Sequence, residues 1–559
     1  MQQLIECVPN FSEGNDREII RQITAEIETV EGVKLLNVDA GKATNRTVVT
    51  MVGEPAAVIE AAFKAIKKAA ELIDMRTHKG QHPRMGATDV CPLIPIANIT
   101  MEETVKFARQ LAKRVGEQLN LPVYLYEEAQ PNKQRSNLSA IRAGEYENFS
   151  AKILQPEWKP DYGPAILNPS AGATVIGARD FLVAYNINLN TTSTRRANAV
   201  AFDIREAGRV KMENGQPVKD ANGNTINIAG SLKAVKAIGW FIEEYGIAQI
   251  SINLTNINIT SVHIAFDEAC KKANERGMRV TGSEIVGLIP LKAMLDAGKY
   301  FLHKQQRSAG VSQAELIRIA IKSMGLDELS VFKPAERIIE FLLTDKKKTN
   351  LIDMSLSDFA DETASESPAP GGGSIAAYIG ALGISLATMV ANLSAHKKGW
   401  DDRWEEFGKL AERGQFLKEE LLKLVEEDTK AFNGIITAMG FSKATGEEKI
   451  TRANAIEAAT KFAIEVPFKV MELACETMEI IKIIATIGNP NSISDAGVGA
   501  LCARSAVMGA FMNVRINAAG CNDKDFVDSI MSRGKIIETT AIATETAILN
   551  LVNEIIARA

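Results

Sequence analysis

The sequence predicts a multidomain protein: two α/β subdomains of ferredoxin-like βαββαβ order, followed by an all-α helical-bundle domain. Three observations carry that prediction. Strand-like and helix-like periods alternate twice through residues 1–335. From Leu351 onward strand signals vanish, and Ala, Leu, Ile, Met, Glu and Lys fill long segments of helical period. A chain of 559 residues also exceeds what one ordinary core supports. The expected partition is 1–180, 181–335, a linker at 336–352 and a helical domain at 353–559.

In order, Leu4–Val8 reads as a strand and Asp16–Thr29 as a helix. Val33–Val38 and Thr47–Val52 are strands around a polar loop, Asp39–Arg46. Pro55–Ile73 is a helix with Val58, Ala62, Ala65, Ile66, Ala69 and Ile73 on one face. A strand at Val90–Ile96 follows. Thr100 and Glu103 then fit a capping box for a helix ending near Leu119, before a strand at Pro122–Tyr126. Gly163–Gly172 is rich in turn residues and reads equally as an interdomain loop or a binding loop.

The second α/β stretch has strands at Phe181–Leu189, Ile250–Ile259 and Arg279–Val286, with helices at Thr192–Ala207 and Ser261–Arg276. Lys211–Asn227 carries two Asn-Gly turns, Asn214-Gly215 and Asn222-Gly223, and forms an exposed hairpin or flap. The two halves share element order without a residue-level repeat. Pro334–Leu343 is a short helix, and the lysine run of Asp345–Asn350 is a solvated linker.

Bulk composition narrows the function. With 46% hydrophobic and 24% charged residues the chain is globular, and a formal charge of −5 argues against general nucleic-acid binding. Six scattered cysteines without paired spacing suit free thiols in a reducing compartment. Met-Gln-Gln-Leu-Ile-Glu has no basic region followed by an apolar run, so a cytoplasmic protein is expected.

One stretch stands out in the first domain: His78-Lys79-Gly80-Gln81-His82-Pro83-Arg84-Met85-Gly86-Ala87-Thr88-Asp89, which holds two of only five histidines. Pro83 disfavours a helical His82, and Gly80 and Gly86 are turn or close-approach positions. His82 is expected in an extended loop, with Arg84 two residues on. A histidine suits proton transfer near neutral pH, and an arginine can fork onto a carboxylate. A purely structural histidine is the other reading. The His78–His82 spacing raises a metal site. Gly80 and Pro83 break any shared helical face, however, and no Cys/His set nearby completes the ligands, so no metal is expected.

Two features stand out in the helical domain. Ser365-Glu366-Ser367-Pro368-Ala369-Pro370-Gly371-Gly372-Gly373-Ser374 puts a glycine triplet at a helix start, where backbone N–H groups can meet an anion. It lacks the Gly-Lys-Ser/Thr ending of a P-loop, and a flexible turn is the alternative. The uncharged Ile375–Ala395 raises a membrane span. Gly380, Gly383 and many alanines favour a closely packed bundle helix instead. The second feature is the helix Asp402–Met439, whose seam runs Phe407, Leu410, Gly414, Leu417, Leu421, Leu424, Asp428, Ala431, Ile435. Asp428 occupies a core position, while Glu426 and Glu427 fall outside. Burial raises a carboxyl pKa, which makes Asp428 a candidate general acid or base. An aspartate paired with a lysine, or capping another helix, is the alternative. Further on, Asn489–Asp495 ends one helix and caps the next. That next helix carries Asn513 and Asn517 on one face, either in the same pocket or in contacts between packed helices.

Leu4-Ile5-Glu6-Cys7-Val8-Pro9-Asn10-Phe11-Ser12-Glu13-Gly14, Asp39, Asn45-Arg46-Thr47 and His82-Pro83-Arg84-Met85-Gly86-Ala87 resemble glutamate formimidoyltransferase. The second half resembles formimidoyltetrahydrofolate cyclodeaminase. Together they resemble the bifunctional formimidoyltransferase-cyclodeaminases over essentially the whole length. The resemblance implies that His82 is the transferase's base and that Asp428, in an Asp-x-x-Ala-Phe context, is the cyclodeaminase's catalytic aspartate. It implies substrate binding by Asn10, Asp39, Arg46 and Arg84, the two arginines holding carboxylates. It also implies folate contact by Gly163, Pro164, Ala165, Ile166, Leu167, Asn168, Pro169, Ser170, Ala171 and Gly172. The family carries an aromatic where this chain has Ala171. Around Asp428 the expected residues are Gly372, Gly373, Ser374, Asp495, Asn513 and Asn517.

The implied chemistry uses N-formimidoyl-L-glutamate and tetrahydrofolate, with or without a polyglutamate tail, and releases L-glutamate and ammonia. The implied assemblies are dimers and rings of dimers. No nucleic acid, membrane or metal takes part. Two rival readings are a transferase with an inert helical appendage and a non-catalytic scaffold. His82, Arg84 and Asp428 argue against the scaffold.

Overall fold

The structure, a computed structural model, describes residues 3–42, 44–80, 83–220, 223–343, 350–367 and 369–558. His82, Asn222, Pro368 and positions 344–349 of the expected linker lie outside the described residues. The chain forms two compact units, one within Met1–Met294 and Ile321–Thr344, the other within Leu295–Ala320 and Asp345–Ala559.

The first α/β module begins with β1 (Leu4–Cys7) and its continuation β2 (Asn10–Phe11). Helix α1 (Arg17–Glu28) starts where the Asp16 carboxylate accepts from the N–H groups of Glu18 and Ile19. Strands β3 (Val33–Gly41) and β4 (Arg46–Gly53) pair as far as Gly41 opposite Arg46, so the connecting loop is shorter than the expected Asp39–Arg46. Next come α2 (Pro55–Leu72), β5 (Thr88–Ala97) and α3 (Met101–Gln118), which opens with both halves of the Thr100–Glu103 capping box formed. Strand β6 (Val123–Glu127), the short helices α4 (Leu138–Arg142) and α5 (Glu145–Lys152), and β7 (Thr174–Ala178) complete the module.

Strands β5, β1, β4 and β3 stand side by side, all antiparallel, in the order of a ferredoxin-like split unit. The sequence did not reveal β7. It inserts between β5 and β6, parallel to both, and extends the sheet. One sheet face buries Ile5, Cys7, Met51, Cys91 and Leu125 with apolar residues of α1, α2 and α3. The other carries Glu6 opposite Val52 and Ile94, and Asn10 opposite Val48 and Val90. Over β5, β7 and β6 that second face is covered by Ile141 and Phe149, which pack on Val90, Tyr124 and Val175.

The second module repeats the order with β8 (Val183–Leu189), α6 (Thr194–Ile204), β13 (Val235–Ile242), β14 (Ile247–Leu254), α7 (Val262–Glu275) and β15 (Val280–Val286). Between α6 and β13 lie two small ladders, β9 (Arg209–Val210) with β12 (Asn227–Ile228) and β10 (Met212–Glu213) with β11 (Gln216–Pro217). They form the expected exposed hairpin. The sheet runs β13-β14-β8-β15, the same topology as the first. Two expectations are corrected. Strand β13 was not foreseen, and the strand expected at Ile250–Ile259 ends at Leu254 because Asn256 caps a turn through the N–H of Asn258. Helices α8 (Leu291–Lys304), α9 (Gln313–Met324), α10 (Pro334–Arg337) and α11 (Ile339–Leu343) follow. The single helix expected at Pro334–Leu343 is broken at Ile338, which bridges to Ile289.

The helical unit consists of α12 (Leu356–Ala364), α13 (Gly372–Ala395), α14 (Trp404–Met439), α15 (Gly446–Ile487), α16 (Ile493–Ala518) and α17 (Lys524–Arg558), together with residues 295–320. That earlier segment is held closely: a Cβ on Gly310 would stand 2.2 Å from that of Ala411, and the amides of Asn392 and Gln415 both donate to the Gly310 carbonyl, at 2.7 and 3.3 Å. Helix α13 runs antiparallel to α14 and α16, and its small residues explain how. A Cβ on Gly383 would lie 2.9 Å from the Gly499 carbonyl oxygen, and one on Gly414 would lie 2.1 Å from the Thr388 hydroxyl. The expected seam of α14 is realised, with Phe407, Gly414, Leu417, Leu421 and Leu424 buried. Gly372–Ala395 and Pro490–Ala518 are long and apolar enough to cross a membrane. The bundle buries 61% of the most apolar window of the first and 50% of that of the second.

Candidate functional site

In the first unit, pairing in register puts Asn10, Asp39 and Arg46 on the sheet face away from α1, α2 and α3. Arg46 is buried; its Nε donates to Asn10 Oδ1 (3.0 Å) and its Nη1 to Asp89 Oδ2 (2.5 Å). Asp39 stands exposed on the same face. Glu6, fully buried on this face, was not singled out from the sequence. Burial lifts its pKa to about 7 against the opposing charge of Arg179.

The segment around His82 is pinned on both sides. His78 Nε2 meets the Asn45 carbonyl (2.9 Å), the Asn45 amide donates to the Lys79 carbonyl (2.9 Å), and Gly80 packs against Thr44 so closely that a Cβ would lie 2.3 Å from its carbonyl oxygen. His78 Nδ1 accepts from Arg84 Nε (3.2 Å), so both His78 ring nitrogens are committed. His82 itself lies outside the described residues.

Arg84 does not stand free to grip a substrate carboxylate, as had been expected of it. Its guanidinium is forked onto Glu147 (2.6 and 2.9 Å) and also bonded to Glu145 (3.1 Å) and the His78 carbonyl (3.2 Å). The Glu147 bond is the main reason its pKa is raised. Its donors are spent on fixing the loop.

The Gly163–Gly172 loop is brought to this place. Asn168 Oδ1 accepts from the N–H groups of Ser170 (3.1 Å) and Ala171 (2.9 Å), forming a tight turn. Gly163 and Gly172 have φ of +79° and +71°, the left-handed region that favours glycine. The loop is clamped by bonds from Met75 N–H to the Ser170 carbonyl (2.8 Å) and from Ala87 N–H to the Ala171 carbonyl (2.8 Å). Tyr146 Oη adds a third, to the Pro169 carbonyl (2.6 Å). It therefore grips both flanks of the His82 segment. Ala171 is corrected as a ligand contact: its side chain is buried in the core and its N–H and C=O are both used. Ile166, 72% exposed, is the large apolar group the loop presents; Pro164, Ala165 and Leu167 are half-buried.

In the second unit, three separately expected features converge. Asp428 Oδ2 accepts from the Ser374 backbone N–H (2.8 Å) and from Ser374 Oγ (3.0 Å). A Cβ on Gly373 would lie 2.1 Å from Asp428 Oδ1, and one on Gly372 would lie 3.4 Å from Asn513 Nδ2. The glycines are what let the α14 carboxyl sit on the start of α13. The alternative of a helix-capping aspartate is thus realised, and it leaves Oδ1 free of described bonds. Burial raises the Asp428 pKa, while the Ser374 bonds pull it partway back.

Two expected residues stand elsewhere. Asn517 donates to the Ala463 carbonyl (2.7 Å), a contact between α16 and α15. Asp495 opens α16 at the opposite end, about 27 Å along the axis from Asn513 at 1.5 Å per residue. Within the chain it cannot share a pocket with Asp428. Among the described residues no three His, Cys, Asp or Glu side chains converge to hold a metal.

The class of the chain, a multidomain enzyme with an α/β unit and a helical unit, follows from its kinship. Formiminotransferase N-terminal-subdomain, formiminotransferase and formiminotransferase-cyclodeaminase family models match residues 4–179, 184–344 and 355–535 in turn. The formimidoyltransferase-cyclodeaminase of Mus musculus is 42% identical over 534 residues, 95% of this chain and 96% of that protein. The glutamate formimidoyltransferase of Thermoplasma acidophilum is 43% identical over 301 residues, 54% of this chain and 92% of that protein. The methenyltetrahydrofolate cyclohydrolase of Methylorubrum extorquens is 35% identical over 196 residues, 35% of this chain and 92% of that protein. The chain belongs to the formimidoyltransferase-cyclodeaminase family.

Proposed function

We propose that this chain runs two consecutive folate reactions. In the first, N5 of tetrahydrofolate attacks the formimidoyl carbon of N-formimidoyl-L-glutamate. The bond to the glutamate nitrogen breaks, His82 takes the N5 proton, and L-glutamate leaves protonated. In the second, N10 attacks the same carbon and its proton passes to the formimidoyl nitrogen; Asp428 supplies the further proton with which ammonia departs as the carbon–nitrogen bond breaks, giving 5,10-methenyltetrahydrofolate. The observation that carries the second step is the half-buried Asp428 carboxyl over Gly373, with one oxygen held by Ser374 and the other without a described hydrogen bond. The kinship of each half with a separate folate enzyme supports the pairing.

The deciding experiment supplies the full chain with N-formimidoyl-L-glutamate and tetrahydrofolate, measuring glutamate, methenyltetrahydrofolate and ammonia. His82→Ala is expected to lower glutamate release by about 10²–10⁴ while supplied 5-formimidoyltetrahydrofolate still cyclises. Glutamate release within a few-fold of normal sinks the His82 assignment. Glutamate release without ammonia marks an inert appendage, and neither product marks a scaffold.

The protein is further read as cytoplasmic and self-associating. All six cysteines are free. The outward sides of α13 and α16 expose Leu382, Met389, Leu393, Val498, Leu501 and Met512. Light scattering from a full-length monomer at micromolar concentration contradicts the self-association.

A further inference from the structure

We infer that Arg142 is a specificity-determining residue of the transferase site, binding with Arg46 a carboxylate of the amino-acid donor. This rests on the transferase reading above.

The argument starts from a charge imbalance. Asp89 is wholly buried, and its Oδ2 accepts from both Arg46 Nη1 (2.5 Å) and Arg142 Nη2 (2.6 Å). The arginine side chains are themselves only 9% and 12% exposed. Two guanidiniums face one carboxylate, so one positive charge is left in a place where water reaches little. Buried charge without a counter-charge is costly, and a site of this kind is completed by an anion. Arg142 also keeps a donor in hand: its Nε is buried and has no partner among the described residues.

The neighbouring groups do not supply the anion. Arg84 has the opposite surplus, one guanidinium with Glu145 and Glu147, but those carboxylates are 43% and 57% exposed and are met by water and counterions. They are already bonded to Arg84. The position is right for a substrate: Asp89 Oδ1 accepts from the N–H of Met85 (3.1 Å), which follows His82 by three residues, and Arg46 holds Asn10 on the sheet face described above. A donor with two carboxylates needs fixed cations. Arg84 is spent, and Arg142 is the guanidinium that stands beside Arg46 in its place.

The test uses full-length protein carrying Arg142→Gln or Arg142→Lys and three donors: N-formimidoyl-L-glutamate, its γ-amide and its α-amide. The Gln variant is expected to raise KM for the diacid by about 10- to 100-fold, the range of one lost bond between charged groups. KM for tetrahydrofolate, and cyclisation of supplied 5-formimidoyltetrahydrofolate, should stay within about two-fold. The Lys variant, which keeps the charge without the fork, should fall between. The wild type should prefer the diacid over one of the two amides, and that preference should collapse in the Gln variant, which names the carboxylate bound. An unchanged KM for the diacid, or an equal loss on all three donors, overturns the inference. A wild type inactive on the diacid instead overturns the transferase reading beneath it.

Discussion

Gly373→Ala probes the second site at its tightest point. The added methyl would start 2.1 Å from Asp428 Oδ1, 2.5 Å from Cγ and 2.7 Å from Oδ2. Ordinary carbon–oxygen contact requires about 3.3 Å, so the carboxyl must retreat by roughly 1 Å. That stretches the Ser374 bonds, now 2.8 and 3.0 Å, beyond hydrogen-bonding reach. The stability change should be small. Losing these bonds costs about 1–3 kcal/mol, and Gly→Ala in a compatible helical conformation returns about 0.4–1 kcal/mol. The rate change should be large, because a reacting group misplaced by 1 Å costs on the order of 10²-fold. The control is Gly372→Ala, whose methyl would meet Asn513 at an ordinary 3.4 Å and should leave the rate nearly unchanged. Both variants are assayed by absorbance of methenyltetrahydrofolate formed from 5-formimidoyltetrahydrofolate, alongside thermal unfolding. A Gly373→Ala protein that cyclises within three-fold of wild type refutes the placement of the reacting group, as does a Gly372→Ala protein that is the dead one.

Three further outcomes are expected. Asp428→Asn keeps the acceptor for Ser374 but carries no proton, so 5-formimidoyltetrahydrofolate should accumulate while glutamate release continues; normal ammonia release contradicts this. The raised Asp428 pKa means its protonated form is lost as pH rises through that value, which sets an alkaline limb on cyclisation. Ser374→Ala removes a bond that lowers this pKa and should move the limb to higher pH, and a limb that stays or moves down refutes it. Glu6, raised from 4.5 to about 7, contributes stability that is whole below pH 4.5 and lost as pH climbs through 7. Glu6→Gln should therefore gain on wild type between pH 5 and 9, by at most about 3 kcal/mol in unfolding titrations, and a gap that narrows over that range counts against it.

Local order was legible in the sequence and long-range pairing was not. The seam of α14 exposed Asp428 because a carboxylate breaks an apolar stripe at fixed steps. Only the family resemblance tied Asp428 to Ser374, 54 residues earlier; no local pattern did. Strand β7 was missed because Thr174–Ala178 is buried on both faces and shows no alternation. Strand β13 was missed because Ile238 and Trp240 are apolar on its outward side, which erases the two-residue period. Arg46 and Arg84 were recognisable as cations for carboxylates. Which of them the protein itself satisfies depends on Glu145, Glu147, Asp89 and Arg142, far away in sequence. Glu6 and Asp89 did leave a trace, as charges inside or opening apolar strands; Arg142 left none.

The segment 295–320 belongs to the helical unit although residues 321–344 separate it from the rest of that unit. This has a consequence for the chain as it is made. Gly310 emerges about a hundred residues before Ala411 and Gln415, its packing partners. At roughly 5–20 residues per second, the segment waits on the order of ten seconds with its apolar side uncovered. Any cut between 344 and 352, which looks like a natural place to divide the protein, would strand the segment on the wrong fragment. The two halves are tied in the order of their birth, and the helical unit is complete only as part of the whole chain.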